Sequence, residues 1–278
     1  MKSFEYFKPQ SLKEASELLI KHGENSHILN GGTDLVVRMR ENLTTPDVIV
    51  DIKGIKELHK ISYDEKEGLF VGACVKLSDM AHNRAVVENY SFLADAAETV
   101  GSGQVRNLAT MAGNNCNASP LADTSTPILA LDAVVCIYGL NSEREVSIHD
   151  FFKGVRKTCL SHGEIVTGIK IPAYKDLKGV FIKNSRRKEV DLSTVCTTVA
   201  KVGNEIRIAM GAVAPTPIRA KEAEKLANGA ELTDEMINKI ADTAASEAKP
   251  IDDVRASREY RIEMVRVMVR RSLEQLRD

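Results

Sequence analysis

The apolar positions of the chain fall into two periods, and the changes between them mark out its elements. Leu12, Ala15, Leu18 and Leu19 share one face of a 3.6-residue period. Ser11 and Glu14 open that face as a capping-box pair, and Gly23 closes it. A short strand over 27–29 leads to two adjacent glycines and then to a helix over about 34–41. "DVIVDI" (47–52) reads as a buried strand, and 58–75 as two strands joined by a turn at 64–68. "KLSDMAHNRAVVENY" and "SFLADAAETVGS" read as helical, the first from near Ser78 and the second from near Ser91. Periodicity fails over 101–127, which reads as a long loop of small and polar residues, and long loops in compact domains are usually functional. A helix at "ILALDA", a hairpin at "VVCIYGLNSEREVSI" and a strand at "EIVTGIKIP" follow. After a boundary at 173–178 come strands over 180–185, 194–202 and 205–213, then three helical stretches. βα units early and antiparallel hairpins later predict an α+β fold.

Composition narrows the function classes. The 278 residues suffice for one large or two ordinary domains, and 43% hydrophobic with 28% charged residues is a globular balance. A formal net charge of −1 gives no field for nucleic acid or an anionic membrane, and a chain without Trp makes a poor aromatic platform. No apolar run approaches the roughly 18 residues that span a bilayer, and "MKSFEYFKPQ" lacks the apolar centre of a secretory signal, so the expectation is a cytoplasmic protein. Cys74, Cys116, Cys136, Cys159 and Cys196 form no C-x-x-C pair, which fits free thiols and predicts no metal site.

Two stretches remain as candidate chemistry. "NGGTD" (30–34) is a strand-to-helix turn whose glycines bare backbone N–H groups at the positive end of a helix, a geometry suited to phosphate, although a plain capped turn reads the same way. It is neither a P-loop nor G-x-G-x-x-G. In "ATMAGNNCNASPLADTSTP", small residues permit close backbone approach, while Asn114, Asn115, Asn117 and Asp123 supply directed polar groups; a surface loop of turn formers is the plainer alternative.

Together with the late "DDVRASREYR", "NGGTDL" and "QVRNLATMAGNNCNASPLAD" resemble, in order and over almost the whole chain, the FAD-binding medium subunit of molybdenum hydroxylases. This is the xanthine, carbon monoxide and nicotinate dehydrogenase group. The resemblance implies an FAD-binding domain of the vanillyl-alcohol-oxidase (PCMH) type over 1–174, in two parts. It also implies a carbon monoxide dehydrogenase flavoprotein-like domain over 175–278, with a small antiparallel sheet and helices. It places Ile28, Leu29, Asn30, Gly31, Gly32, Thr33, Asp34 and Leu35 around the FAD diphosphate, the glycines being there because a β-carbon would fill ligand space. It sets Thr110, Gly113 and Asn114 on the phosphates or ribityl chain, with Cys116 beside them, and Asp123 on ribityl or ribose hydroxyls. Ile165 and Val166 are expected against the adenine or ring edge, and Lys183 near the pyrimidine end of the flavin.

The sequence departs from the family's usual pattern at Asn30 (commonly Ala), at Ala112 (usually Gly) and at Val100, where some relatives have a stacking aromatic; Tyr174 is a candidate to cover the flavin instead. No His or Cys stands where a covalent flavin link is expected, so FAD is expected to be non-covalent. The implied partners are a small [2Fe–2S] subunit and a large molybdopterin subunit, with NAD⁺ or another acceptor taking the electrons. No catalytic residue of the chain's own is expected. The alternative is a stand-alone FAD-dependent oxidoreductase of a small molecule, against which 179–278 show no acid–base cluster. A cofactor-free interaction module would make the glycine loops mere turns. In the tail, Met264 or Val265, Met268, Ser272, Leu273 and Leu276 form a helical stripe, either packed on its own domain or facing a partner, and "SRRKEVD" is a solvated strand end or a basic rim.

Overall fold

The computed structural model describes residues 1–277, organised around two hydrophobic cores. β1 (Glu5–Phe7), β2 (Ser26–Leu29) and β3 (Val48–Asp51) form a parallel sheet in the order β1-β3-β2. The crossover α1 (Leu12–His22) is capped as its sequence implies: Ser11 Oγ accepts the Glu14 N–H, and the Glu14 carboxylate reaches back to the Gln10 N–H. The second crossover contains α2 (Leu35–Arg40). β1 escaped prediction because three residues are too few to show a period.

A second, antiparallel sheet has the order β4-β5-β10-β6-β7. It is built from β4 (Ile61–Asp64), β5 (Gly68–Gly72), β6 (Val134–Gly139), β7 (Ser142–Ser147) and, after the small hairpin β8 (Phe152–Gly154) and β9 (Lys157–Thr158), β10 (Ile165–Ile171). Helices α3 (Leu77–Ala81), α4 (Arg84–Asn89), α5 (Ser91–Glu98), α6 (Gly103–Arg106), α7 (Met111–Cys116) and α8 (Ser125–Ala130) fill the connection from β5 to β6, and α9 (Ile148–Phe151) follows β7. The expected structureless loop at 101–127 is therefore wrong. α6 and α7 are single turns held by side-chain caps, with Ser102 Oγ accepting the Val105 N–H and Thr110 Oγ1 accepting the Gly113 N–H. Helices of four and six residues are too short to reveal a 3.6-residue period.

The third sheet, β11 (Leu177–Asn184), β12 (Val195–Val202), β13 (Glu205–Gly211) and β14 (Ile218–Arg219), is antiparallel in chain order. α10 (Lys221–Ala227), α11 (Asp234–Glu247) and α12 (Arg258–Arg277) complete the second core. This sheet is a shared wall. Val195, Val199, Ile206, Ile208 and Met210 face the helical core, whereas Ala200 and Ala209 join the first core and Thr198 Oγ1 donates to Thr126 Oγ1 at 2.9 Å. The tail stripe packs inward, with Val265, Met268, Ser272, Leu273 and Leu276 buried on the chain's own sheet and on α11.

"DDVRASREYR" proves to be a fastening. Arg261 is 2% exposed; its guanidinium donates to the carbonyls of Thr194 and Ala212 and, at 2.7 Å, to Asp253 Oδ1. Burial pushes the Asp253 carboxyl up. Hydrogen bonds from Arg255 and Arg261, with the Arg261 charge, outweigh that and hold it at about 2, below its usual 3.8. A depressed carboxylate adds stability above its unfolded value and loses it as pH falls through its folded value. Asp253→Asn should therefore destabilise the protein at pH 7, with the gap from the wild type closing between pH 4 and pH 2 in urea titrations. A β-carbon at Gly179 would lie 2.3 Å from the Phe92 ring, where β11 meets α5. Gly179→Ala should cost about 1–3 kcal/mol, read as a lowered unfolding midpoint.

Candidate functional site

The site begins where β2 ends. The turn from Asn30 to Asp34 must lie against the segment before α7: a β-carbon on Gly31 would come within 2.3 Å of the Leu108 carbonyl oxygen and 2.9 Å of Ala109 Cα. Gly32 has φ +72°, the left-handed region that favours glycine, and a β-carbon there would meet Leu29 Cδ1 at 2.8 Å. Within the protein, β-carbons at both positions would strike the chain's own atoms, which gives the glycines a reason besides the space a ligand needs. The consequence for a ligand is indirect. Among the described residues, the backbone N–H groups of Gly31, Gly32, Thr33 and Asp34 donate to no protein acceptor, which is the accounting expected of a turn that awaits one.

Asn30 locks this turn in place. Its Nδ2 donates to the Ala73 carbonyl at 2.7 Å and to Thr110 Oγ1 at 2.9 Å, joining the glycine turn to the N-cap of α7. Its Oδ1 is buried without a partner. Lys53, paired with Asp51 at 2.8 Å, donates to the Asn30 carbonyl from outside. Asp34 stands at the N-cap of α2 but makes no capping hydrogen bond; Oδ2 instead accepts from Asn117 Nδ2 at 2.9 Å, and Asn117 Oδ1 accepts from Arg156 at 2.5 Å.

These segments enclose a cavity of about 570 Å³, within the usual range of small-molecule sites. Its walls carry Ile28, Asn30, Gly31, Gly32, Thr33, Asp34 and Leu35 from the first turn, and Val100, Thr110, Gly113, Asn114 and Cys116 from the second segment. β10 adds Ile165 and Val166. Asn114 Oδ1 accepts from Thr124 Oγ1 at 2.7 Å, which fixes the side-chain amide. Burial, reinforced by Cys159, pushes the Cys116 thiol up to about 12, so it is a protonated wall residue at neutral pH.

Three expected residues are not brought to the cavity surface. Leu29 lies in β2, in register with Asp51. Asp123 and Lys183 are bound to each other at 2.7 Å and nearly inaccessible. Lys183 also donates to the Thr99 carbonyl and Ser193 Oγ to Asp123 Oδ1, so the pair sits one residue behind the wall positions Val100 and Leu192. Burial pushes the Asp123 carboxyl up, and Lys183 and Ser193 pull against it. Tyr174 lies elsewhere too: its hydroxyl donates to the Leu131 carbonyl at 2.6 Å, and the Arg207 guanidinium lies 5.3 Å from its ring centroid.

Conversely, the cavity recruits residues that motif reading missed. Leu192 comes from the 185–194 loop, His27 and Arg38 flank the first turn, and Arg156 comes from the β8–β9 hairpin. Arg38 had a signal, since it lies one helical turn past Asp34; Arg156 and Leu192 reach the site only through the tertiary fold.

The donor set fits an elongated polar ligand with an anionic centre. Bare amides and cations line it together with apolar side chains, and the buried Asn30 Oδ1 has no protein donor. No group of three or more His, Cys, Asp or Glu among the described residues could hold a metal ion.

Residues 2–174 match the family described as the FAD binding domain in molybdopterin dehydrogenase, and residues 181–276 the carbon monoxide dehydrogenase flavoprotein C-terminal domain. The chain is 32% identical to the glyceraldehyde dehydrogenase medium chain of Sulfolobus acidocaldarius, over 98% of each chain. To the xanthine dehydrogenase FAD-binding subunit of Escherichia coli O157:H7 it is 29% identical, over 97% of this chain and 94% of the other. Its fold matches the solved carbon monoxide dehydrogenase from Hydrogenophaga pseudoflava with a TM-score of 0.94, at 32% identity, covering 98% of this chain and 96% of that one.

The two glycines should differ in tolerance. Gly31→Ala must displace the Leu108 backbone, whereas Gly32→Asn keeps a left-handed residue and presses only on a side-chain terminus. In fluorescence titrations of flavin-free protein with FAD, Gly31→Ala should weaken binding by about tenfold or more, equivalent to about 1.4 kcal/mol, and Gly32→Asn by less.

Proposed function

Because the chain belongs to the family of FAD binding domains of molybdopterin dehydrogenases, we propose that it is the FAD-carrying electron-transfer subunit of a molybdopterin-dependent dehydrogenase. On this reading it accepts electrons from [2Fe–2S] clusters of a small partner subunit. These arise from hydroxylation at a molybdopterin centre in a large subunit, and they leave to NAD⁺ or another acceptor. The relatives named as a medium chain and as an FAD-binding subunit support the assignment to a multi-subunit enzyme. The division into an FAD domain over 1–174 and a second domain over 175–278 is part of the proposal, as is a cytoplasmic setting; no helix among the described residues is long and apolar enough to cross a membrane.

The observation that carries this reading is the run of unpartnered amides from Gly31 to Asp34, facing a cavity otherwise short of catalytic groups. Bound non-covalently there, FAD would supply the redox chemistry, and the chain's own residues bind, orient and shield it. The amides of Gly31, Gly32 and Thr33 take the diphosphate. Asn30 holds that turn against Thr110. Ile165, Val166 and Val100 give apolar contact with the rings, and Leu192 covers them from the second domain. Asp123 and Lys183, paired behind the wall, set the position of Val100 and Leu192.

A self-contained oxidoreductase would need an acid or base at this cavity. Asp34 is engaged by Asn117 and the Cys116 thiol is held protonated, which leaves His27, held at Thr44, as the one imidazole among the described lining residues. Affinity purification of the tagged chain from its native host, with flavin and metal analysis, tests the assignment. FAD should co-purify with molybdenum and iron in further subunits. A lone yellow chain that oxidises a small molecule by itself would contradict it.

A further inference from the structure

We propose that Arg38 and Arg156 form a cationic clamp that closes on the diphosphate held by the glycine turn; the inference rests on FAD being the ligand of this cavity. The two arginines line the same cavity from elements far apart in sequence. Arg38 belongs to α2, one turn beyond Asp34, to whose carbonyl its N–H donates at 3.0 Å. Arg156 stands at the tip of the β8–β9 hairpin, where its N–H donates to the Ala118 carbonyl at 2.8 Å. Its side chain is then tied through Asn117 to Asp34 at the start of the same helix. Both arginines therefore line the cavity that also holds the bare amides.

The charge balance favours an anion. Among the described residues lining the cavity, these two guanidiniums face a single carboxylate, that of Asp34. That carboxylate alone would repel a diphosphate; Asn117 donates to one of its oxygens, and Arg156 behind Asn117 offsets its charge. Neither arginine has a carboxylate within ion-pair distance among the described residues, so each guanidinium keeps N–H groups for a ligand. The third basic group, His27, is pushed down by burial and by the Arg38 charge and stays neutral, leaving its buried Nδ1 without a partner. Arginine suits this task because its planar fork donates paired hydrogen bonds to phosphate oxygens.

The test is a pair of titrations of the flavin-free full chain, one with FAD and one with riboflavin, which has the ring and ribityl chain but no phosphate. The wild type should bind FAD more tightly than riboflavin, with the difference shrinking as sodium chloride is raised. Arg38→Gln and Arg156→Gln should each weaken FAD binding on the order of tenfold while leaving riboflavin binding unchanged, and the double variant should lose most of the salt dependence. Arg38→Lys and Arg156→Lys should recover part of the affinity through charge alone, and unchanged thermal unfolding would separate the effect from a folding defect. Wild-type protein that binds no FAD would overturn the cofactor assignment itself. FAD binding and salt dependence equal to wild type in both glutamine variants would overturn the clamp and leave that assignment standing.

Discussion

The site depends on one close approach: the backbone of Gly31 against the carbonyl of Leu108, a separation that no side chain fits. That contact brings together two segments nearly eighty positions apart, and Asn30 seals it with a hydrogen bond to the cap of α7. Once the turn is pressed there, its N–H groups have no protein acceptor left and line the cavity, where a ligand with anionic oxygens can take them. Gly31 thus serves the ligand by letting two backbones meet, and Gly32 by taking the left-handed turn that follows.

A second constraint follows from the shared sheet. β12 is buried on both faces from Val195 to Ala200, so the two cores cannot separate without exposing it. The Asp123–Lys183 pair lies in that seam, beside Thr99 and Ser193. A buried ion pair is weak evidence for stability, since desolvation offsets much of its attraction, but it fixes geometry strongly. Here it positions the cavity wall at Val100 and Leu192, which come from opposite sides of the seam. The cavity is accordingly a property of the whole chain, even though most of its lining belongs to the first core.

Much of this was legible in the sequence. Periodicity located α1, the β4–β5 and β6–β7 hairpins and the three long strands of the last sheet, because those elements are amphipathic or bounded by turn residues. The glycine pair and the small-residue segment marked the two loops that meet at the cavity. What failed has physical causes. The single-turn α6 and α7 owe their existence to caps on Ser102 and Thr110, which a search for apolar period does not weigh. Arg156 and Leu192 arrive by tertiary folding, so no local pattern announces them. Tyr174 looked free to cover a ring, but its hydroxyl and its face are both engaged, by Leu131 and Arg207.

The most direct measurement is a crystal structure of the chain loaded with FAD. The account predicts diphosphate oxygens about 2.7–3.2 Å from the backbone nitrogens of Gly31, Gly32 or Thr33, with the Gly31–Leu108 contact unchanged. A cofactor whose diphosphate lies away from that turn, with those N–H groups bound only to water, would contradict it.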